Sequence, residues 1–223
     1  MSAAATLELT YRSDAALLVA YATHLSRGQL LVDLKDRLPS GTTLQVKLVA
    51  PAGSLALAAA VARPRTGTNG TSETPLAITS RVEALGEAID KLAFGFKGLK
   101  TLVAASQAAP RALLIRYLRS IVTCEVIEID QRRLDEPGAI CAVDLGVIDL
   151  DSTGAAGYEL YARLREHEET ASTPVLAVAQ MERDRARAAS LGFDEALANP
   201  PAFADLQTSA LRALARPVAV KLS

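Results

Sequence analysis

The sequence has few of the residues that build metal centres or disulfide frameworks. Its two cysteines are Cys124 and Cys141, no CxxC motif occurs, and its two histidines are His24 and His167. Structural zinc sites take four Cys or His ligands at short, recurring spacings, so we expect no metal site. Both cysteines fall at or near predicted strands, and free, mostly buried thiols in a reducing cytoplasm are their expected state.

Strong charge and long apolar runs are also missing. The 223 residues carry a net charge of −1, and 22% of them are charged. Residues 1–97 hold 10 Lys and Arg against 8 Asp and Glu, and residues 98–223 hold 14 against 17. This balance gives no electrostatic basis for binding nucleic acid or an anionic membrane. No apolar run approaches the roughly 20 residues that span a bilayer, and residues 1–6 lack signal-peptide features, so we expect a cytoplasmic protein without membrane insertion.

The first half of the chain alternates apolar and polar residues with a period of two. The predicted strands are Leu7–Tyr11, Leu17–Ala22, Gln29–Leu34, Thr43–Ala50 and Leu55–Ala62. Turn signals such as Pro39-Ser40-Gly41 and Pro51-Ala52-Gly53 separate them. Short strands at hairpin spacing predict a small antiparallel β-sandwich or β-barrel. Apolar residues at helical spacing from Val82 to Phe96 then predict a helix appended to it.

The second half alternates strand and helix patterns. Its predicted strands are residues 99–105, 124–129, 145–149, 173–178 and 195–200, with helical patterns between them and after the last. Such alternation predicts a parallel α/β sheet in the flavodoxin-like order 2-1-3-4-5. These sheets place their chemistry at the carboxyl ends of the strands, where Asp149 follows the apolar run Leu145–Ile148. The alternative is that Asp149 only caps the loop after its strand.

Three stretches of the second half resemble response-regulator receiver domains. They are Asp149 to Leu160, Pro174 to Ala179, and Leu191-Gly192 through Asn199-Pro200, and we assign residues 98–217 to this domain. The resemblance implies that Asp149 stands in the place of the phosphorylated Asp. It also implies departures at the positions that do chemistry: Ala104-Ala105-Ser106 replaces the acidic pair that holds Mg²⁺, Ala179 replaces Ser or Thr, and Asn199 replaces Lys. We therefore predict a pseudo-receiver with a vestigial phosphoacceptor, no catalysis and no cofactor.

The first half resembles the PilZ family, in particular the divergent subgroup of myxobacteria and their relatives. The resemblance rests on Leu9-Thr10-Tyr11-Arg12-Ser13, Tyr21 through Val32, and Leu38-Pro39-Ser40-Gly41-Thr42, and we assign residues 1–97 to this domain. It implies a β-barrel followed by a helix.

Family members that bind cyclic di-GMP use an RxxxR motif and a (D/N)xSxxG motif, and both are degenerate here. Ala16 stands four residues after Arg12, and His24 and Gln29 replace the first and last positions of the second motif, which keeps Ser26. Arg63 and Arg65 could supply a phosphate contact, although solvated arginines at a strand end are the alternative. We expect cyclic di-GMP not to bind.

These features together favour a non-catalytic adaptor that binds other proteins in a bacterial regulatory system. The two resemblances point to control of motility, pili or cell polarity. The alternative is a response protein switched by cyclic di-GMP or by phosphorylation of Asp149. An enzyme is not expected, because no Gly-rich phosphate loop, nucleophile–base pair or metal cluster is found.

The expected partner is another protein or a second copy of the chain. The candidate interface consists of Arg183, Arg185 and Arg187 on a charged helix together with Phe203, because arginine and aromatic side chains dominate interface energies. The alternative is that Phe203 packs over the sheet edge and that the charged helix is simply solvated.

Overall fold

The computed structural model of the chain describes residues 5–34, 38–63, 73–80, 82–130, 133 and 142–223. Its strands are β1 (Ala5–Thr10), β2 (Gln29–Asp33), β3 (Thr43–Ala50), β4 (Gly53–Val61), β5 (Glu73–Ile78), β6 (Leu99–Ala104), β7 (Cys124–Ile129), β8 (Leu145–Asp149), β9 (Val175–Val178), β10 (Glu195–Leu197) and β11 (Ala219–Leu222). Its helices are α1 (Asp14–Thr23), α2 (Val82–Gly95), α3 (Ala108–Ile121), α4 (Leu150–Thr153), α5 (Ala155–Glu166), α6 (Glu182–Ser190) and α7 (Phe203–Ala215). Arg65 and Cys141 lie outside the described residues.

The chain divides into two units. The β-unit combines Met1–Phe96 with Ala215–Ser223, and the α/β unit is Lys97–Leu214. The first unit therefore takes its residues from both ends of the sequence. No element is predicted from the sequence for residues 218–223, yet they include a strand of this unit.

A six-stranded sheet forms the β-unit, in the order β11-β1-β3-β4-β5-β2. Strand β11 pairs antiparallel with β1, with Leu9 opposite Val220. Strands β3, β4 and β5 pair antiparallel in sequence, and β2 pairs antiparallel with β5. Strand β1, however, runs parallel to β3, with Leu7 opposite Val46.

The predicted strand Leu17–Ala22 is wrong, because these residues form most of helix α1. Ser13 caps this helix by accepting a hydrogen bond from the backbone N–H of Ala16 at 3.2 Å. Ala16, Leu17 and Ala20 are buried, a helical spacing that the apparent alternation concealed. The predicted antiparallel arrangement is also wrong for β1 and β3, which pair in parallel. Parallel neighbours need a crossover connection, and here that connection contains α1 and β2. A PilZ-like barrel is not confirmed.

Helix α2 is present where the apolar spacing predicts an appended helix. Leu85 and Ile89 are buried, but Phe96, the last residue of the predicted apolar face, is 38% exposed. Phe94 is 98% exposed. The buried face of α2 therefore ends before the two phenylalanines.

The α/β unit has the predicted sheet. Five parallel strands lie in the order β10-β9-β8-β6-β7, which is the order 2-1-3-4-5 in chain sequence. Every residue of β8 and β9 is buried, as expected for central strands of a parallel sheet covered on both faces. The order places the carboxyl ends of β6, β8, β9 and β10 side by side along one edge.

The turn that leaves β8 packs tightly around a buried glycine. Thr153 Oγ1 donates a 2.7 Å hydrogen bond to the carbonyl of Asp149, so its position is fixed. A Cβ added to Gly157 of α5 would overlap Thr153 Oγ1 and would lie 3.1 Å from side-chain atoms of both Ile148 and Leu150. Only hydrogen fits at position 157 without a shift of the turn that carries Asp149.

We predict that Gly157→Ala destabilises the α/β unit by about 1–3 kcal/mol, because overpacking outweighs the roughly 1 kcal/mol by which Ala favours a helix over Gly. Urea denaturation monitored by circular dichroism measures the change. Gly86→Ala in α2 is the matched control, since nothing lies within 4 Å of an added Cβ there, and it should be neutral or stabilising. Equal stability of the Gly157→Ala protein and the parent would contradict the tight packing.

Candidate functional site

The carboxyl ends of four parallel strands bring the predicted receiver positions together. Asp149 ends β8, Ala105 and Ser106 follow β6, Ala179 follows β9, and Asn199 follows β10 by two residues. The backbone N–H of Ser106 donates to Ser152 Oγ at 3.1 Å, which joins the loop after β6 to helix α4. We call the cluster of Asp149, Asp151, Ser152 and Asn199 the strand-end site.

Asp149 caps helix α4. Its Oδ1 accepts hydrogen bonds from the backbone N–H groups of Asp151 at 3.2 Å and Ser152 at 3.4 Å. Its carbonyl accepts from Thr153 Oγ1. The residue is only 1% exposed, so its carboxyl group has a structural role in starting the helix.

The second carboxyl oxygen of Asp149, Oδ2, is buried and makes no hydrogen bond to the described residues. Burial is the main cause that raises the pKa of Asp149; the nearby charge of Asp151 raises it further, while hydrogen bonds from Ser152 and the Asp151 backbone lower it. The site therefore disfavours the ionised carboxylate, which is the nucleophilic form.

A neutral amide bridges the two carboxyl groups of the strand-end site. Asn199 Nδ2 donates to Asp149 Oδ1 at 3.1 Å and to Asp151 Oδ2 at 2.6 Å. Asp151 Oδ2 also accepts from the backbone N–H of Gln180 at 2.8 Å. Asn199 satisfies hydrogen-bond acceptors but, unlike a lysine, brings no positive charge to either carboxylate.

Two alanines occupy positions at which the resemblance to receivers implies acidic and hydroxyl side chains. Ala105 and Ala179 are fully buried, and arginines bind their carbonyl oxygens. Arg111 donates to the Ala105 carbonyl at 2.8 Å, and Arg185 donates to the Ala179 carbonyl at 2.8 Å. These guanidinium groups anchor the two loops beside the site.

The structure separates the roles of the candidate interface residues. Arg185 also donates to the Gln180 carbonyl at 2.7 Å and pairs with Glu182, which leaves its side chain 21% exposed. The Arg187 guanidinium lies 4.3 Å above the ring of Tyr158. Arg183 is the most open, with 80% of its side chain exposed. No pattern in the sequence indicated that Arg185 would anchor a loop.

Phe203 is partly packed. It is 37% exposed, and its ring meets that of Tyr117 of α3 edge-on, with centroids 5.3 Å apart. The aromatic neighbour of Phe203 thus belongs to α3, a helix that the predicted interface did not include.

Three of the four degenerate cyclic di-GMP positions fall in one turn of the β-unit. His24 follows α1, Ser26 lies in a 3-10 turn (Leu25–Arg27), and Gln29 begins β2. Ser26 Oγ donates to the carbonyl of Ala22 at 3.4 Å. Arg12 follows β1, and Arg63 is exposed.

Neither a metal cluster nor a membrane-spanning helix is found in the described part of the chain. No three or more His, Cys, Asp or Glu residues among those described could hold a metal ion together. None of the described helices is both long and apolar enough to cross a bilayer. Cys124, at the start of β7, is a free and partly buried thiol.

No protein-family model and no curated protein matches the sequence. Some solved structures are similar to about half of the chain. One is the signal receiver domain of a two-component histidine kinase from Clostridium thermocellum, which has 18% identity and a TM-score of 0.48. The match covers 53% of this chain and 98% of that one. The receiver domain of a sensor histidine kinase from Pseudomonas aeruginosa, solved with magnesium in its active-site cleft, has 21% identity and a TM-score of 0.46, covering 52% and 98%. A response regulator from Desulfuromonas acetoxidans has 21% identity and a TM-score of 0.45, covering 52% and 96%.

We predict that Asp149→Asn stabilises the protein at neutral pH, by about 1 kcal/mol. The pKa of Asp149 is raised in the native state, so the native state holds its proton more tightly than the unfolded chain does. Its contribution to stability therefore falls as the pH rises from the unfolded Asp pKa, about 3.9, towards the native value. Asn removes this loss.

Urea denaturation near pH 7 and near pH 4 measures this effect. The advantage of Asp149→Asn should shrink at the lower pH, because the raised pKa of Asp149 makes its ionisation in the native state less important there. Asp90→Asn, on the exposed side of α2, is the matched control and should change little at either pH. A loss of stability at neutral pH in Asp149→Asn alone would show that the ionised carboxylate is a net stabilising cap.

Proposed function

We propose that this chain is a non-catalytic adaptor that binds other proteins in a bacterial signal-transduction system. The observation that carries the proposal is the strand-end site: Asp149 and Asp151 share the neutral amide of Asn199. The strand order favours a receiver-type α/β unit. In the proposal, this unit keeps the receiver architecture and lacks the charged groups that phosphoryl transfer needs. The β-unit is proposed to be a divergent PilZ-like module, and motility, pili or cell polarity is the proposed setting.

Charge is the physical reason for expecting no phosphoryl transfer. The donor is an anion, and a protein accelerates its reaction mainly by positioning it and neutralising its charge. At the strand-end site the donor would meet the carboxyl groups of Asp149 and Asp151, with no lysine within the cluster. Losing one electrostatic group typically costs about 10²–10³ in rate, and several losses together do not simply multiply.

The second candidate function is a response protein phosphorylated on Asp149. The observation that favours it is the unpartnered Oδ2 of Asp149, an oxygen that hydrogen bonding does not occupy. A switch of this kind needs the ionised carboxylate of Asp149, which burial of this group disfavours. The adaptor function is therefore preferred.

We predict that acetyl phosphate with Mg²⁺ adds no phosphate to the purified protein, as measured by intact-protein mass spectrometry. A variant with Ala105→Asp, Ser106→Asp, Ala179→Thr and Asn199→Lys restores the missing groups and should gain an adduct of one phosphate. Adding Asp149→Asn to that variant should remove the adduct. A stable adduct on the unchanged protein that disappears in Asp149→Asn would instead establish the phosphorylated response protein.

We predict that calorimetric titration with cyclic di-GMP gives no binding at micromolar protein. His24 and Gln29 lack the acid or amide and the glycine of the binding motif, and the Ser26 hydroxyl donates to the backbone. The nucleotide carries two negative charges for which few cations remain. Micromolar or tighter binding that is abolished by Arg63→Ala with Arg65→Ala would contradict this prediction and would assign the phosphate contact to those arginines.

A further inference from the structure

A groove with an unusual share of positive charge runs along helix α3 of the α/β unit. Its volume is about 640 Å³. The residues that line it include Ala108, Arg111, Ala112, Ile115, Arg116 and Arg119, with Glu128 of β7 at one side. The strand-end site does not use this groove.

The three arginines of the groove differ in what they contact. Arg111 pairs with Glu128 at 3.2 Å and has a side chain only 19% exposed. Arg116 and Arg119 lie one turn apart and are exposed, and no salt bridge to either is found among the described residues. Within the described part of the chain, the groove therefore presents two positive charges without carboxylate partners, in a protein whose net charge is −1.

The groove also has an apolar floor. Ala108, Ala112 and Ile115 follow one another at spacings of four and three residues, so they share one face of α3. Small side chains at such positions let another helix approach closely. An occupant that suits both features carries apolar side chains on one face and carboxylates beside them.

We propose that this groove binds an acidic amphipathic helix of a partner protein. The apolar side chains of that helix would cover Ala108, Ala112 and Ile115, and its carboxylates would pair with Arg116 and Arg119. This inference rests on the proposed adaptor function and specifies the chemistry of the partner.

The test uses the full chain and a labelled synthetic peptide of about 16 residues, enough for roughly four helical turns. The peptide carries leucines on one face and glutamates beside them. Fluorescence anisotropy should show saturable binding that weakens as salt is added. A second peptide with lysine in place of each glutamate and a single-stranded DNA oligonucleotide are the comparison probes, and both should bind at least about tenfold more weakly.

The decisive variant is Arg116→Glu with Arg119→Glu, checked for folding by circular dichroism. It should bind the acidic peptide at least about tenfold more weakly and should gain affinity for the lysine peptide. Lys91→Glu with Lys97→Glu makes the same double charge change at two exposed side chains outside the groove, and it should alter affinity less than about twofold.

Three outcomes would overturn the proposal: no binding of the acidic peptide, equal binding by the parent and the double variant, or tighter binding of the oligonucleotide. These results leave the adaptor function standing, because that function is tested separately by the acetyl phosphate reaction. If the protein instead gains an adduct on Asp149 and still binds the acidic peptide, the groove proposal stands. In that case the protein is also switched by phosphorylation.

Discussion

The burial of one carboxyl group at the end of β8 constrains the whole strand-end site. Asp149 is almost inaccessible to water, and burying a charge without a partner costs far more than burying a hydrogen-bonded neutral group. The site meets this constraint with neutral donors: two backbone N–H groups and the amide of Asn199. The carboxyl group is thereby retained as a helix cap, and the same solution leaves it poorly suited to attack an anion.

Arginine has a different role around this site from the one a phosphate-handling protein would give it. Arg111 and Arg185 both lie next to the strand ends, but each directs its guanidinium to a backbone carbonyl and to a neighbouring glutamate. A guanidinium that is held in this way has few donors left for a phosphoryl group. These two arginines therefore stabilise the loops beside the strand ends.

The sequence predicted the α/β unit better than the β-unit, and packing explains the difference. Strands β8 and β9 are buried along their whole length and therefore read as continuous apolar runs, which identify central parallel strands without ambiguity. The buried residues of helix α1 include Ala16, Leu17 and Ala20, which are small or adjacent in sequence. The apolar pattern of this segment therefore resembled that of a strand. The feature that indicates a helix is the cap at Ser13, which lies outside the apolar run.

Other features depend on contacts that no local pattern contains. Strand β11 is only four residues long and is defined by its partner β1, more than 200 positions earlier. The acid at position 149 and the asparagine at 199 were both identified from the sequence, but the bridge between the two carboxyl groups needs Asp151 as well. Likewise, the carbonyl contact of Arg185 depends on how the loop after β9 turns.

The distribution of charge on the α/β unit gives the clearest argument about its use. Exposed ion pairs add little to the free energy of unfolding. Stability alone therefore does not explain why Arg116 and Arg119 lie together beside the apolar residues of the groove. Charges without partners at a surface contribute instead to the rate and specificity of association. Arg111 and Arg185 bind backbone carbonyls beside the strand ends, whereas no described carboxylate pairs with Arg116 or Arg119. Arg116 and Arg119 are therefore the residues through which we propose that an acidic partner is recognised.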